Sequence, residues 1–342
     1  MTQFEYCGAI HVHSTYSDGS GSVSTIIHAA NEAALDFLVL TDHNSLGARV
    51  NRWEGWHQNT LLIVGDEVSG RSGHCLALGT NRRVNHRQLP QDILNDINRQ
   101  NALSFIAHPH GTYRSLFKTH NHAWKDWTTT GFTGLELWSY MFDWIRDFRY
   151  YRFWGHYRHP ERYIRGPHPD TLLMWDRLCQ TQHCVAIGGV DAHARHYGPL
   201  PFVVFPYVDA FQTLHTHILL SKPITQTESD IQTLLQALGA GHCFIAYDFL
   251  HNATGTRFHA ADGSLQMGDA VVYNRPIDLC VHLPLKADMS IVCNGHIIQQ
   301  IYTDTFTFCA NTPGVYRMEA RLNQTPWIYT NPIYLRAGAL PQ

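Results

Sequence analysis

Four H-x-H triplets occur in this chain, at His11/His13, His108/His110, His120/His122 and His215/His217. With 24 histidines in 342 residues the triplet alone says little, and position relative to apolar runs separates them. His11 and His13 alternate along a short apolar run, which puts both imidazoles on one face of a strand. Ser17-Asp18-Gly19 follows them. The run FLVL ends in Thr41-Asp42-His43-Asn44, and LLIV ends in Gly65-Asp66-Glu67. LSFIA leads into His108-Pro109, and VAIGGV leads into Asp191-Ala192-His193. Imidazoles mixed with carboxylates that can bridge, and no thiolates, suit zinc, manganese or iron. The ligands outnumber what one ion needs, so a multinuclear site is expected.

A lone histidine at a strand end is more often a hydrogen-bonded rim residue than a ligand. His110, His120, His122, His215 and His217 are read that way, with His110 also weighed as a supporting or proton-transfer group. The strand-end set reads otherwise, because coincidence would have to act five times over. His74 opens the run HCLALG soon after Glu67 and is read as ligand or support.

The elements that must position these residues alternate. Strands are expected at Ala9–His13, Phe37–Thr41, Leu61–Val64, His74–Leu78, Leu103–Ala107, Gly134–Leu137, Val185–Val190, Phe202–Phe205 and Cys243–Ala246. Helical patterns lie between them at Val23–Leu35, Asp92–Gln100, Met141–Trp154, Thr171–Thr181 and Asp230–Leu238. This βα alternation implies a mainly parallel sheet, open or closed into a barrel, whose strand C-termini share one rim. Beyond about residue 250 the helical period disappears. Pro276–Leu285, Ser290–Cys293, Ile297–Tyr302, Val315–Leu322 and Trp327–Leu335 read as strands separated by turn signals such as Asn294-Gly295. Only three of the histidines lie in the last 91 residues. Two domains are expected, an α/β unit over 1–250 and a small antiparallel sandwich-like unit over 251–342. Trp327 and Tyr329 are read as core of the second.

Composition excludes several classes. The formal net charge is −3 and no basic block exists, which argues against a partner bound by phosphate neutralisation. No run of 18 apolar residues is present, so no membrane helix is expected. The start, MTQFEYCGAIHVH, has neither the basic nor the apolar region of a secretory signal. The eight cysteines are scattered with no C-x-x-C pair, and are read as free thiols of a cytoplasmic protein.

The segments IHVHSTYSDGS, LTDHNS, VGDE, GHCLALG, AHPHG and GGVDAHA resemble, in order, the motifs of the PHP (polymerase and histidinol phosphatase) superfamily. They cover roughly residues 8–195. The later segments GVYRMEARL and PWIYTNPIYLR resemble the β-domain of the branch that includes carbaryl-hydrolase-like proteins. The resemblance implies a distorted (β/α)7 barrel of PHP type followed by the small all-β domain, with two or three divalent ions on the barrel rim. It implies that His11, His13, Glu67 and Asp191 build one metal site. Glu67 would bridge to a second with His108 and His74, and Asp18, His43 and His193 would hold a third. Some members carry histidine where Asp18 stands.

The activity so implied is phosphoester hydrolysis, in which a water activated between two ions attacks phosphorus. The substrate expected is a small anionic molecule, a phosphorylated metabolite or a nucleotide; longer nucleic acid and membrane are not expected partners. Glu67, Asp191 and His193 are the catalytic candidates, with Arg195 as a phosphate contact and His110 as a further candidate. Residues 146–165 carry six arginines among aromatics, which reads first as an ion-paired amphipathic surface helix and second as a phosphate clamp. The alternative activity is hydrolysis of a carboxyl ester, amide or carbamate, since the same water can attack a carbonyl. A non-catalytic metal- or ligand-sensing module is the third reading. It is disfavoured because all nine positions carry competent ligands.

Overall fold

The computed structural model describes residues 3–114, 119–195 and 202–338. The short apolar runs become strands because turn signals bound them and neighbours cover both faces. Phe37–Leu40, for example, is buried at every position. Phe4–Val12 pairs in parallel with Phe37–Leu40, which pairs in parallel with Thr60–Gly70. The direction then reverses, because only Arg71 and Ser72 separate Thr60–Gly70 from its antiparallel partner Gly73–Leu78. Leu103–Ile106 is antiparallel to Gly73–Leu78, and parallel pairing resumes through Gly134–Ser139 to Val185–Gly189. Backbone hydrogen bonds from Val190 N to Ile10 O (2.9 Å) and from His13 N to Ala192 O (3.0 Å) return the path to the first strand. The sheet is therefore mixed, not mainly parallel.

Phe4–Val12 also pairs antiparallel with Leu214–Leu220, and that strand with Cys243–Tyr247. Leu214–Leu220 (LHTHILL) lay outside the sequence expectation, which placed a strand at Phe202–Phe205 where none forms. The reason is burial: both imidazoles of LHTHILL are buried, so a central strand was disguised as a half-exposed one.

Cys243–Tyr247 pairs with Thr325–Thr330, which joins the C-terminal strands to the same large sheet. The two strands expected over 276–293 are one 17-residue strand, Ile277–Cys293. It folds back onto His296–Ala310 across Asn294-Gly295, whose φ values of 51° and 81° are the pair that a tight hairpin turn requires. The strand expected at Trp327–Leu335 is split at Asn331-Pro332 into Thr325–Thr330 and Ile333–Arg336. Proline has no N–H to give the ladder.

Helices cover the first part of the sheet. Val23–Glu32 starts at Ser22, whose hydroxyl accepts from Thr25 N at 3.2 Å, and Pro90–Arg99 and Pro169–Thr181 each begin with proline. The expected Met141–Trp154 helix breaks into Tyr140–Arg146, a 3-10 turn at Tyr150–Arg152 and a helix at Phe153–Arg158. One apolar cluster lies between the strands, with Ile10, Val39, Ile63, Leu76, Phe105 and Ile187, and is plugged by Leu234 and Leu238 of Ser229–Gly239. A second joins sheet to helices through Ile26, Leu94 and Trp175. A third fills the C-terminal strands around Met289, Met318 and Trp327. Tyr329, expected in that core, is buried instead in the cluster between sheet and helices, against Trp138. No helix among the described residues is long and apolar enough to cross a membrane.

Candidate metal centre

Strict alternation along Phe4–Val12 would send Ile10 and His11 to opposite faces. Ile10 packs in the inner cluster, yet His11 also points inward, because the register shifts between Ile10 and Val12 and His11 takes a φ of 71°. Val12 then faces the helices and His13 returns to the inside. His108 (φ 28°) and Asp191 (φ 51°) also hold positive φ at strand ends. Such backbone costs on the order of 1–3 kcal/mol each for non-glycine residues and clusters where a side chain must be aimed.

What they aim at is Glu67. Its Oε2 lies 3.2 Å from His11 Nε2, 3.2 Å from His13 Nε2 and 2.9 Å from His43 Nδ1. Its Oε1 lies 2.8 Å from His74 Nδ1 and 3.1 Å from His108 Nε2. Asp191 Oδ1 is 3.4 Å from His11 Nε2 and 3.3 Å from His13 Nε2. On the outer side Asp18 Oδ1 is 3.1 Å from His193 Nε2 and 3.6 Å from His43 Nε2. All nine expected ligand positions are thus brought together from six strand ends and loops. They form overlapping groups: His11, His13 and Asp191; His11, Glu67 and His108; His43, Glu67 and His74; His13, Asp18, His43 and His193. His74 and His43 share a group, which the resemblance alone did not suggest.

The donors fit divalent ions. His11 Nε2, His13 Nε2 and Glu67 Oε2 are buried and lack an aligned hydrogen-bond partner, although they lie close together. Buried polar atoms left so are costly unless a further group meets them. The second nitrogens of two of the imidazoles are already committed: His11 Nδ1 to Glu136 Oε1 at 2.9 Å, and His193 Nδ1 to the Asp191 carbonyl at 3.0 Å. A metal-binding imidazole is typically oriented this way. Burial would raise the Glu67 carboxyl, but His11, His74 and His43 hold it well below the usual range. Burial would likewise lower His43, but Glu67 and Asp18 outweigh it and raise it to about 9.

Glu136 was not singled out by sequence reasoning. It is a buried carboxylate in the apolar strand GLELWS, and its Oε2 also accepts the backbone N–H of His108 at 2.6 Å. A charged residue inside an apolar strand was the available signal. His122, read as a rim residue, also reaches the centre. Its ring lies 5.1 Å from that of His74, and burial together with His74 and His108 lowers it to about 4. The side chain of His120 lies outside the described residues.

His110 is not brought to the cluster. Its Nδ1 bonds Thr171 Oγ1 at 2.8 Å, and its ring stacks on His168 beside a neighbouring cavity. Arg195 does reach the pocket, but its Nη2 is 2.7 Å from Asp18 Oδ2, so the guanidinium is engaged with a carboxylate.

A cavity of about 430 Å³ opens over Asp18, His43, Glu67, His74, His108, Asp191 and His193. Its opposite wall is apolar: Met141, Phe142, Trp144, Ile145, Phe148, Tyr150, Phe153 and Val204. The arginine-rich segment therefore presents aromatic and aliphatic side chains to the cavity. Arg146 pairs with Asp143 at 2.8 Å, and Arg152 and Arg158 lie over Tyr151 and Trp154. Asp143 anchors the segment by accepting from Trp138 Nε1 (3.0 Å) and Gly166 N (2.8 Å). None of the six arginines lines the cavity.

No family model matches the chain, and no curated protein does. Among solved structures it is similar to a two-domain protein containing a predicted PHP-like metal-dependent phosphoesterase from Bacteroides vulgatus. The identity is 14%, the TM-score 0.43, and the similarity covers 96% of this chain and 95% of that one.

Proposed function

We propose that this chain is a PHP-type metal-dependent phosphoesterase that cleaves a small phosphate ester. One observation carries the reading: five imidazoles lie within 3.2 Å of the two oxygens of Glu67. A carboxylate so surrounded is suited to bridge two cations. His11, His13, Glu67 and Asp191 would hold one ion, Glu67, His74 and His108 a second, and Asp18, His43 and His193 a third. Divalent zinc, manganese or iron bound there would lower the pKa of a water and offset charge on the ester oxygens. The remaining work falls to the chain itself. Glu136 fixes the His11 ring, and Arg195 holds Asp18 in place. The wall of Phe142, Trp144 and Phe148 keeps water away from one side and receives the organic part of the ester. Glu67, Asp191 and His193 face that space and are the groups we assign to catalysis.

The lining favours a second reading as well. Arg195 is the one Lys or Arg among the described lining residues, and it is paired. An apolar wall without a free cation suits a carboxyl ester, amide or carbamate. Aryl phosphates and aryl carboxyl or carbamate esters, assayed with Mn²⁺ or Zn²⁺, separate the two. Turnover of phosphate esters is expected; inert phosphates beside active carboxyl esters would reverse the assignment. Purified protein that holds less than one ion per chain and hydrolyses neither would restore the sensing module.

The return of the strand path to Phe4–Val12 supports a distorted (β/α)7 barrel over 1–250, and the apolar cluster of the C-terminal strands supports a sandwich-like unit over 251–342. The eight unpaired cysteines support a reducing, cytoplasmic setting.

A further inference from the structure

A second cluster of ligand-type side chains lies apart from the rim, where Phe4–Val12, Leu214–Leu220 and Cys243–Tyr247 run side by side. Cys7 and His217 stand directly opposite each other in the antiparallel pair, and His215 follows two residues along on the same face. Asp248 enters from the turn just after Cys243–Tyr247. The four ligand atoms all lie within 4.8 Å of one another. Asp248 Oδ2 is 2.8 Å from His215 Nδ1 and 2.9 Å from His217 Nε2. Cys7 Sγ is 3.7 Å from His217 Nε2 and 3.8 Å from Asp248 Oδ2. The His217 side chain is fully buried, and those of His215 and Asp248 are 8% exposed.

We propose that Cys7, His215, His217 and Asp248 form a structural zinc site, independent of the rim centre. Thiolate, two imidazoles and one carboxylate are a four-ligand set that zinc accepts in tetrahedral geometry with no open position. The outward atoms of every ligand but the thiolate are already engaged. His217 Nδ1 faces Glu5 Oε1 at 2.9 Å, His215 Nε2 faces the Phe211 carbonyl at 2.7 Å, and Asp248 Oδ1 accepts from Ala253 N at 2.9 Å. That is the supporting shell metal-binding histidines use, and it leaves one lone pair of each ring turned inward.

A divalent ion also balances the charge of the cluster. Held by protons alone, both histidines would carry two N–H groups, and both would donate to the same oxygen of Asp248. A divalent cation with Cys7 as thiolate and Asp248 as carboxylate leaves both rings neutral and the buried site uncharged. Glu5 is separately paired with Arg257. Burial penalises net charge, and this arrangement carries none. The site would pin the first strand to the segment that leads into the C-terminal strands, since Ala253, Gly255 and Arg257 all bind Asp248 or Glu5.

Cobalt substitution tests this in the full chain, because the rim ligands include no sulfur. Cobalt-loaded protein should show a thiolate-to-cobalt charge-transfer band in the near ultraviolet, absent in Cys7→Ser and retained in Cys309→Ser. X-ray absorption of the zinc-loaded wild type should show a sulfur neighbour at about 2.3 Å. His215→Gln, which keeps the thiol, should lower the ion count and make the 248–257 segment more susceptible to proteolysis. The absence of both the band and the sulfur neighbour in wild-type protein overturns the proposal, whatever the variants do. A band that persists in folded Cys7→Ser also overturns it.

Discussion

Glu136 Oε1 stands 2.9 Å from His11 Nδ1, inside a largely apolar strand that is completely buried. The pair fixes which nitrogen of His11 turns toward Glu67. The second Glu136 oxygen holds the His108 backbone at its positive φ, so one carboxylate orients two candidate ligands. Glu136→Gln keeps the volume but replaces one acceptor by an N–H donor that must face a donor. Metal affinity should fall about 10–100-fold, as for other residues that orient ligands. Competition with a chelator measures it, and an unchanged affinity would remove Glu136 from the centre.

His11→Ala combined with His13→Ala removes two of the three imidazoles at Glu67 Oε2. Ester turnover and ion retention should both disappear while the far-ultraviolet circular dichroism of the fold persists. A folded double variant with wild-type turnover would contradict the site.

The Arg195 guanidinium stands 2.7 Å from Asp18 Oδ2. Arg195→Ala should release first the ion proposed at Asp18, His43 and His193, and Arg195→Lys should restore only part of its retention, since lysine cannot reproduce the guanidinium fork. Equilibrium dialysis at graded metal concentrations reads the difference. If Arg195 instead contacts substrate alone, the ion count stays the same and only KM rises.

Phe148 belongs to the apolar wall of the cavity, and its ring packs beside those of Trp144, Tyr150 and His156. Phe148→Ala should raise KM for aryl esters roughly tenfold, the equivalent of about 1.4 kcal/mol of lost apolar contact. The same variant should leave methyl esters nearly unaffected. Equal losses on both would mean that the wall supports the fold rather than the substrate.

Metal removal should destabilise the chain, because ions that bind only the folded state add stability by mass action. At a free-ion level one hundred times the Kd a single site contributes about 2.7 kcal/mol. Thermal unfolding before and after dialysis against a chelator measures the loss, and re-addition of Zn²⁺ or Mn²⁺ should reverse it. An unchanged midpoint would mean that neither the rim nor the Cys7 cluster holds an ion tightly.

Much of the rim was legible from the chain because its residues sit where apolar runs end. A run such as FLVL must be a buried strand, and His43 just beyond it must emerge at the strand's C-terminal mouth. Five such coincidences identified the ligand types and their shared edge without any knowledge of distance.

What stayed hidden has a common physical cause. Sequence patterns report on polar residues that face water, and they misread polar residues that face each other. His215 and His217 looked like rim histidines, yet both are buried against Asp248. Glu136 interrupted an apolar strand without any local partner to explain it, since His11 lies 125 residues away in sequence. The arginines of 146–165 dominated the composition of that segment, while the aromatics between them form the cavity wall. Residue types and strand ends determined that a cluster of His, Asp and Glu able to hold divalent ions belongs at one edge of this chain. Only the tertiary structure decided which carboxylate lies at its middle, because contact between distant strands depends on register, bulges and the positive φ of single residues such as His11.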